Sequence, residues 1–395
     1  MDLLRLPVSL SRRIFKRLGY TLSKDAKTII IPNYFNTSHT KTALLSYIRF
    51  VFEKGYVHDE RHTNRYTTFI IAEALSRLGY NVDIINYSDH FSGDINKYDV
   101  VLGLGNPLEY ALQNRESKKT KVIAFGTGCN PFFSNVITIS RIVDFYKRSN
   151  QLLLSSSRYI REDQPLQHEI ADWIILHGST FARTTYRPDH INSIHAPVFI
   201  KKAATRTNEE WNVAKKNYIW FGSDGAIHKG LDLVIEAFAK TPDCNLYICG
   251  NLDSEKEFMD YYNPVISSHP NITYQGFVNI DSDLFQEITR KCAFVIYPSA
   301  SEGNSPAVIT CMANGGMIPI VTKNADVDLN GFGVLIHDFT VDAVVDSIKK
   351  SQILSLEELK TQSEKIIAET HHLNAFDFFK TDFKQKLEDA LKAIS

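Results

Sequence analysis

The run Tyr297-Pro298-Ser299-Ala300-Ser301-Glu302-Gly303-Asn304-Ser305-Pro306-Ala307 leads directly into an apolar stretch, Val308 to Ala313. Just before it, Ala293-Phe294-Val295-Ile296 reads as a buried strand. A tight Glu-Gly loop between a strand and a helix start sets a carboxylate beside backbone N–H groups that have no intrahelical acceptor. The carboxylate can accept from hydroxyl groups, and the N–H groups can hold an anion. A sugar joined to a diphosphate needs both partners side by side. Earlier in the chain, Trp220-Phe221-Gly222-Ser223-Asp224-Gly225-Ala226-Ile227-His228-Lys229-Gly230-Leu231-Asp232 passes from a strand through a glycine-bearing loop to a lysine at a helix start. Glycine lets backbone approach a ligand closely, and an ammonium is a point charge for phosphate. Alone, such a lysine is usually just solvated; joined to the Glu302 loop, it reads as a phosphate partner.

Loops of this kind need sheets to hold them. At 395 residues the chain is too long for one ordinary core, so two domains are expected. A hydrophobic content of 44% with 23% charged residues is that of a globular protein. The net charge of −1 supplies no global basic field for nucleic acid. No apolar run approaches the roughly 20 residues needed to cross a bilayer. The five cysteines form no CxxC pair and read as buried thiols of a reducing compartment, which predicts a cytoplasmic protein.

Residues 1–27 depart from this balance. Arg5, Arg12, Arg13, Lys16, Arg17, Lys24 and Lys27 stand against only Asp2 and Asp25, with Leu3, Leu6, Leu10, Ile14 and Leu18 at three- and four-residue steps. Two readings are open: a basic amphipathic arm lying on an anionic membrane, or a surface helix packed on the first domain. No signal-peptide pattern is present.

Apolar periodicity alternates between short runs and helical stretches, which predicts α/β layers with parallel sheets. Strands are expected at Thr28–Ile31, Val82–Ile85, Asp99–Leu104, Lys121–Phe125, Leu152–Leu154 and Trp173–Leu176. Helices are expected at Asn64–Leu78 and Asn135–Arg148. Lys201 to Lys216 is polar, lacks periodicity and reads as a linker. A second series follows, with strands at Tyr218–Phe221, Asn245–Cys249, Ile272–Tyr274, Ala293–Tyr297, Met317–Val321 and Gly333–Ile336. Helices alternate with these strands, and from Leu356 to Lys392 only helical patterns remain. The architecture expected is two doubly wound Rossmann-like domains (28–200 and 217–370) facing a cleft. Helices at the C-terminal end close it, with 371–395 packing back on the first domain. Ligands of such sheets lie beyond the carboxyl ends of the strands.

Taken in order, these pieces resemble a retaining glycosyltransferase of family 4, with the GT-B fold. The resemblance is carried by Phe221-Gly222 with Lys229-Gly230, by Leu246-Tyr247-Ile248-Cys249-Gly250, by Asn271-Ile272 with Gly276-Phe277-Val278, and by Pro298-Ser299 with Ser301-Glu302-Gly303. It spans roughly Tyr218 to Ile336. The first half is similar, more loosely, to a branch found in bacterial surface-polysaccharide synthesis, through His62-Thr63-Asn64, Thr127-Gly128, Phe133 to Asn135, and Arg141. The resemblance implies that Lys229 and Glu302 carry the catalysis, Lys229 at the donor diphosphate and Glu302 at the donor sugar. It further implies that Gly222, Ser223, Gly250, Asn251, Phe277, Val278, Gly303, Asn304, Ser305, Ala307 and Thr310 complete the donor site. His62, Asn64, Thr127, Gly128 and Asn130 would face the acceptor. The donor would be a nucleotide-sugar, the acceptor a glycan or lipid-linked glycan, and no cofactor or metal would be needed.

Three positions depart from the family pattern. Thr310 stands where a second glutamate usually holds the ribose, Ser223 where an arginine commonly helps bind the diphosphate, and Cys129-Asn130 where relatives often carry a histidine. A catalytically degenerate GT-B protein that binds a glycan or a partner enzyme is therefore the alternative. Other readings compete at single residues. Thr63 or Asn64 could be a plain helix cap with His62 in the loop before it, and Arg141 could serve a structural salt bridge.

Overall fold

The computed structural model describes residues 29–117, 119–160, 164–201, 203 and 205–395; the basic segment 1–27 lies outside the described residues. The first sheet holds β1 (Ile30–Ile31), β2 (Lys41–Tyr47), β3 (Tyr80–Asn86), β4 (Val100–Gly103), β5 (Lys121–Gly126), β6 (Trp173–His177) and β7 (Ile191–Ile194). Their order is β1-β3-β2-β4-β5-β6-β7, parallel except for β1, which runs antiparallel to β3. The second sheet holds β8 (Asn217–Phe221), β9 (Asn245–Cys249), β10 (Ile272–Gly276), β11 (Phe294–Tyr297), β12 (Ile318–Thr322) and β13 (Val334–Ile336). It is wholly parallel in the order β10-β9-β8-β11-β12-β13.

That second order places a topological switch point between β8 and β11, because the chain winds outward from this pair in both directions. The connections leaving the two strands diverge and open a crevice at their carboxyl ends. The Gly222–Gly230 loop leaves β8 and the Glu302 loop leaves β11. Topology thus sets the two candidate loops on either side of one crevice.

Central strands such as β4 and β11 are buried along their whole length because helices cover both faces, which explains their unbroken apolar sequences. The helix Leu356–Leu373 buries Leu359 and Ile366 in the second domain's core. The next helix, Phe376–Ala393, returns to the first domain and buries Phe376, Phe379, Phe383, Leu387 and Ala390 there. Asn374, between the two helices, holds the crossing through its Nδ2, which donates to the Ala196 carbonyl at 2.8 Å.

Four sequence expectations are corrected. Leu152–Leu154 forms no strand; Leu153 alone is buried, against the second domain's core, and a short 3-10 turn begins at Leu154. Lys201 to Lys216 is not a plain linker, because Asn208–Ala214 is a helix closed by a Thr207–Glu210 capping box and anchored by buried Trp211. Two apolar anchors in seven residues are too few to raise a periodic signal. β2 and β7 were both missed for related reasons: Lys41–Tyr47 begins with two polar residues, and Ile191–Ile194 has only its two end residues buried.

The domains are tied together by the long helix Pro131–Ser149. Its Ile142 and Phe145 belong to the second domain's core. Arg141 Nη2 donates to both carboxylate oxygens of Asp232, at 2.9 and 2.8 Å, and Arg148 Nη2 reaches the same carboxylate at 2.8 Å. Arg141 and Asp232 are both buried, so Arg141 is a structural ion-pair residue and not a cleft residue.

Candidate active site

A cleft of about 330 Å3 lies between the carboxyl ends of the two sheets. Asn64, Thr127, Gly128, Cys129, His168 and His177 line it from the first domain, and Ser223, His228, Lys229, Glu302, Gly303, Ser305 and Ala307 from the second. Glu302 and Lys229 therefore converge on one space. The Glu302 carboxylate is held from three sides. Its Oε1 accepts from Tyr297 OH at 3.2 Å and Ser299 Oγ at 3.1 Å, and Arg158 Nη1 lies 3.9 Å from Oε2. Burial pushes its pKa up, but Arg158 and then Lys229 outweigh that and hold it below the ordinary carboxylate value. The group is an anion ready to accept from hydroxyls.

Lys229 is buried, and its Nζ donates to Ser223 Oγ at 2.9 Å. Burial foremost, aided by the Arg158 charge, lowers its pKa to about 8. Ser223 thus aims the ammonium and adds no second charge. The loop before Lys229 is fixed by Glu255, a buried carboxylate that accepts from the N–H groups of Gly225 and Ala226. Gly225 has φ +93°, and a Cβ there would meet Arg158 Cγ at 2.5 Å, so glycine is what lets Arg158 lie across the loop toward Glu302.

His228 bridges the domains. Its Nε2 lies 2.8 Å from the Ser301 carbonyl, which only accepts, so Nε2 carries the proton and Nδ1 accepts from Thr138 Oγ1 at 2.8 Å. Burial lowers its pKa to about 4, which keeps this tautomer neutral. Asp326 makes a second bridge. Its carboxylate accepts from the N–H groups of Ser179 (2.7 Å), Ala182 (2.8 Å) and Asn304 (2.8 Å) and from Ser179 Oγ (2.8 Å). The Cys129 N–H donates to the Glu302 carbonyl at 3.1 Å. The Glu302 loop is therefore braced by the opposite domain.

At one point the two backbones touch. A Cβ on Gly303 would lie 2.4 Å from Gly128 Cα and 2.5 Å from the His177 carbonyl. Gly303→Ala must push the domains apart. Small displacements of aligned groups cost about 10²-fold in rate, and a loss of that order is expected. Small-angle scattering should show a larger radius of gyration in the variant; an unchanged radius and rate would contradict the close approach.

Several expected site residues are not delivered to the cleft. The Asn304 N–H is taken by Asp326 and its Oδ1 accepts from the Ala196 N–H at 2.9 Å, so Asn304 is a brace and not an anion donor. Asn130 caps the helix Pro131–Ser149 by accepting from the Phe132 N–H at 2.9 Å, and it does not line the cleft. His62 is exposed at the helix N-cap position, makes no capping bond and also lies outside the cleft lining. Thr310 donates its hydroxyl back to the Pro306 carbonyl at 2.7 Å. It is not a cleft-lining residue, and neither are Gly222, Gly250, Asn251, Phe277 and Val278. Val278 is buried in the core and Phe277 is exposed. Ser305 and Ala307 do reach the cleft at the start of the helix Pro306–Gly315, and the buried Ser305 Oγ has no partner.

Sequence reasoning missed Arg158, Glu255, His228, Asp326 and His177. Arg158, Glu255 and Asp326 sit in short polar segments without periodicity, so no local signal marked them. His177 closes β6 just before Gly178, and that strand-end position could have found it. Burial lowers the His177 pKa to about 3, so the ring is neutral, and its Nε2 is buried without a partner. Among the described residues no group of histidines, cysteines or carboxylates could hold a metal ion, and no helix is long and apolar enough to cross a membrane.

Residues 205–367 match the family model described as glycosyl transferases group 1. No curated protein matches the chain. Solved structures share its fold at low identity. A glycosyltransferase from Rickettsia africae ESF-5 has 14% identity and a TM-score of 0.57, covering 90% of this chain and 100% of its own. Sucrose-phosphate synthase from Thermosynechococcus elongatus has 13% identity and a TM-score of 0.59, with coverage of 90% and 100%. Anabaena HepE, solved in complex with UDP and glucose, has 13% identity and a TM-score of 0.52, again with coverage of 90% and 100%. The chain thus has the two-domain GT-B fold, and residues 205–367, in its second domain, are similar to the glycosyl transferases group 1 family.

Proposed function

We propose that the protein is a retaining glycosyltransferase of family 4 that moves a sugar from a nucleotide-diphosphate donor to a hydroxyl of a glycan or lipid-linked glycan. The observation that carries this reading is the convergence of the Glu302 anion and the Lys229 cation in one interdomain cleft. Glu302 accepts hydrogen bonds from the donor sugar's hydroxyls and orients the ring. Lys229, with Arg158 across the loop, faces the diphosphate and stabilises the negative charge that grows as the sugar–phosphate bond breaks. Positive side chains take this part, so the reaction needs no metal ion. The start of the helix Pro306–Gly315, with the Ser305 hydroxyl, adds donors for a sugar or phosphate oxygen. The acceptor hydroxyl attacks from the face the diphosphate leaves, its proton passes to a departing phosphate oxygen, and configuration is kept without a protein nucleophile. UDP and glucose in the Anabaena neighbour make a uridine donor the first to try. A place in surface-polysaccharide synthesis rests on the first-half resemblance, and a cytoplasmic location on the five buried, unbridged cysteines.

Calorimetry with UDP, GDP and ADP tests the reading, followed by hydrolysis assays across sugar nucleotides. Lys229→Ala is expected to weaken nucleoside-diphosphate binding about 10–100-fold, the value of a lost charge-assisted hydrogen bond. Wild-type affinity should fall as pH rises through about 8, where the ammonium loses its proton, and the variant should lose that slope. The effect on folding has the opposite sign. The unfolded chain holds this proton more tightly, so the Lys229 contribution to stability improves as pH rises from about 8 toward 10.5. One observation favours a second reading: Thr310 spends its hydroxyl on Pro306, so no carboxylate waits for a ribose. If none of the three nucleotides binds, the chain is a degenerate GT-B protein that holds a glycan or partner enzyme.

A further inference from the structure

We propose that Glu255 is a positioning residue of the donor site, holding from behind the cleft the loop on which both cations rest and supplying a charge that balances Lys229. The inference rests on the transferase reading above, in which those cations face a diphosphate. Glu255 ends the loop after β9, at the N-cap position of the helix Lys256–Ser268, and it does not line the cleft. An acidic residue at a helix start ordinarily bonds to its own helix. This one is 1% exposed, makes no capping bond and reaches thirty residues back along the chain. A buried carboxylate is costly unless its oxygens are satisfied. Here the Gly225 N–H donates to Oε1, and the Ala226 N–H donates to Oε1 at 3.0 Å and to Oε2 at 3.1 Å. Successive amides of a glycine loop can form a cradle for an anion. The chain's own carboxylate fills this one, so these two amides are closed to a phosphate.

The bonds continue from Glu255 to both cations. The Gly225 carbonyl accepts from the backbone N–H of Lys229 at 2.8 Å, and the Ala226 carbonyl from that of Leu231 at 2.9 Å. The turn that ends in Lys229 is thus anchored at its start by Glu255. Arg158 rests on the same turn, since a Cβ on Gly225 would meet its Cγ at 2.5 Å and its Cδ at 2.6 Å. The neighbours of Glu255 add two more ties. Ser254 Oγ donates to Asp224 Oδ1 at 2.9 Å, and Glu257 Oε2 accepts from Ser155 Oγ at 3.0 Å. Residues 254–257 therefore bracket the second-domain loop that carries Lys229 and the first-domain segment that carries Arg158.

Charge gives Glu255 a second effect. Lys229 is faced by Arg158 from the first domain, by Glu302 from the loop after β11, by Glu255, and by Asp224 on its own loop; His228 beside it is neutral. Burial and Arg158 favour loss of the Lys229 proton, while the three carboxylates favour keeping it. Without the Glu255 charge the ammonium should discharge at lower pH.

The test compares Glu255→Gln, which keeps an oxygen for the two N–H groups but removes the charge, with Glu255→Ala, which removes both. Lys229 is read by NMR of protein carrying ε-13C-lysine, with its signal assigned by its loss in Lys229→Ala and no nucleotide present. The wild-type midpoint is expected near pH 8. In Glu255→Gln it should lie about one pH unit lower. Calorimetry with UDP, GDP and ADP should then show affinity about fivefold weaker at pH 8 and unchanged at pH 6, where both proteins hold the ammonium. Glu255→Ala should bind about tenfold more weakly at both pH values, because the loop itself is released. If Glu255→Ala fails to fold, the Glu255→Gln comparison still decides. An unmoved Lys229 midpoint in Glu255→Gln overturns the inference, and so does an affinity loss equal at the two pH values. A folded Glu255→Ala that binds like wild type overturns it as well. Because the Lys229 titration is read without nucleotide, a wild-type protein that binds none of the three removes the transferase reading alone.

Discussion

Glu302→Gln is expected to lower sugar transfer, or donor hydrolysis, by about 10²–10³-fold while the protein stays folded. Glutamine keeps the size of the side chain and an oxygen that can still accept from Tyr297 and Ser299, so the loop keeps its two anchoring bonds. The charge is what is lost. In the wild-type cleft that charge is sustained against burial by Arg158 and Lys229. A neutral amide accepts more weakly from sugar hydroxyls, and it leaves the two cations facing the diphosphate unbalanced. Nucleoside-diphosphate affinity should therefore change little or rise slightly, and the loss should fall on turnover. Initial rates across a panel of sugar nucleotides, paired with calorimetry on the free nucleotide, separate the two effects. Full turnover in Glu302→Gln would remove Glu302 from the chemistry.

The second large effect concerns the domain interface. Asp232→Ala should reduce stability to urea by about 3–5 kcal/mol, because it strands the Arg141 guanidinium without its counter-ion in a site closed to water. Arg141 Nε and Nη1 already lack partners, so no other acceptor stands ready for the freed Nη2. Arg148 is half-exposed and can turn to water or to Glu236, whose Oε1 lies 3.2 Å away, so it softens nothing at Arg141. The paired change Arg141→Met with Asp232→Leu removes both charges and should recover most of the loss, since two buried ions are costly to desolvate. Urea melts followed by fluorescence and by circular dichroism give the comparison. A loss under about 1 kcal/mol in Asp232→Ala would show that water reaches the pair.

Much of the scaffold was legible because its strands are buried on both faces and so spell unbroken apolar runs. Asn245–Cys249 was read to the residue, and the apolar stretch Val308 to Ala313 lies wholly inside the helix Pro306–Gly315. Elements that lean on distant neighbours were not legible. The helix Asn208–Ala214 is held by Trp211 and a capping box, and β7 by pairing with β6; neither spells a pattern long enough to detect.

The chemistry divides along the same line. Glu302 and Lys229 could be picked out from the sequence because each sits in a strand–loop–helix passage whose local grammar announces a ligand. Their convergence was decided by sheet order, which sets the ends of β8 and β11 side by side. Arg158, Asp326 and His228 acquire their roles only when the domains meet, since every contact that defines them spans tens of residues or more. Sequence determines local conformation through neighbours a few positions apart. The electrostatics of a cleft depend instead on charges that folding alone brings within a few ångströms of one another.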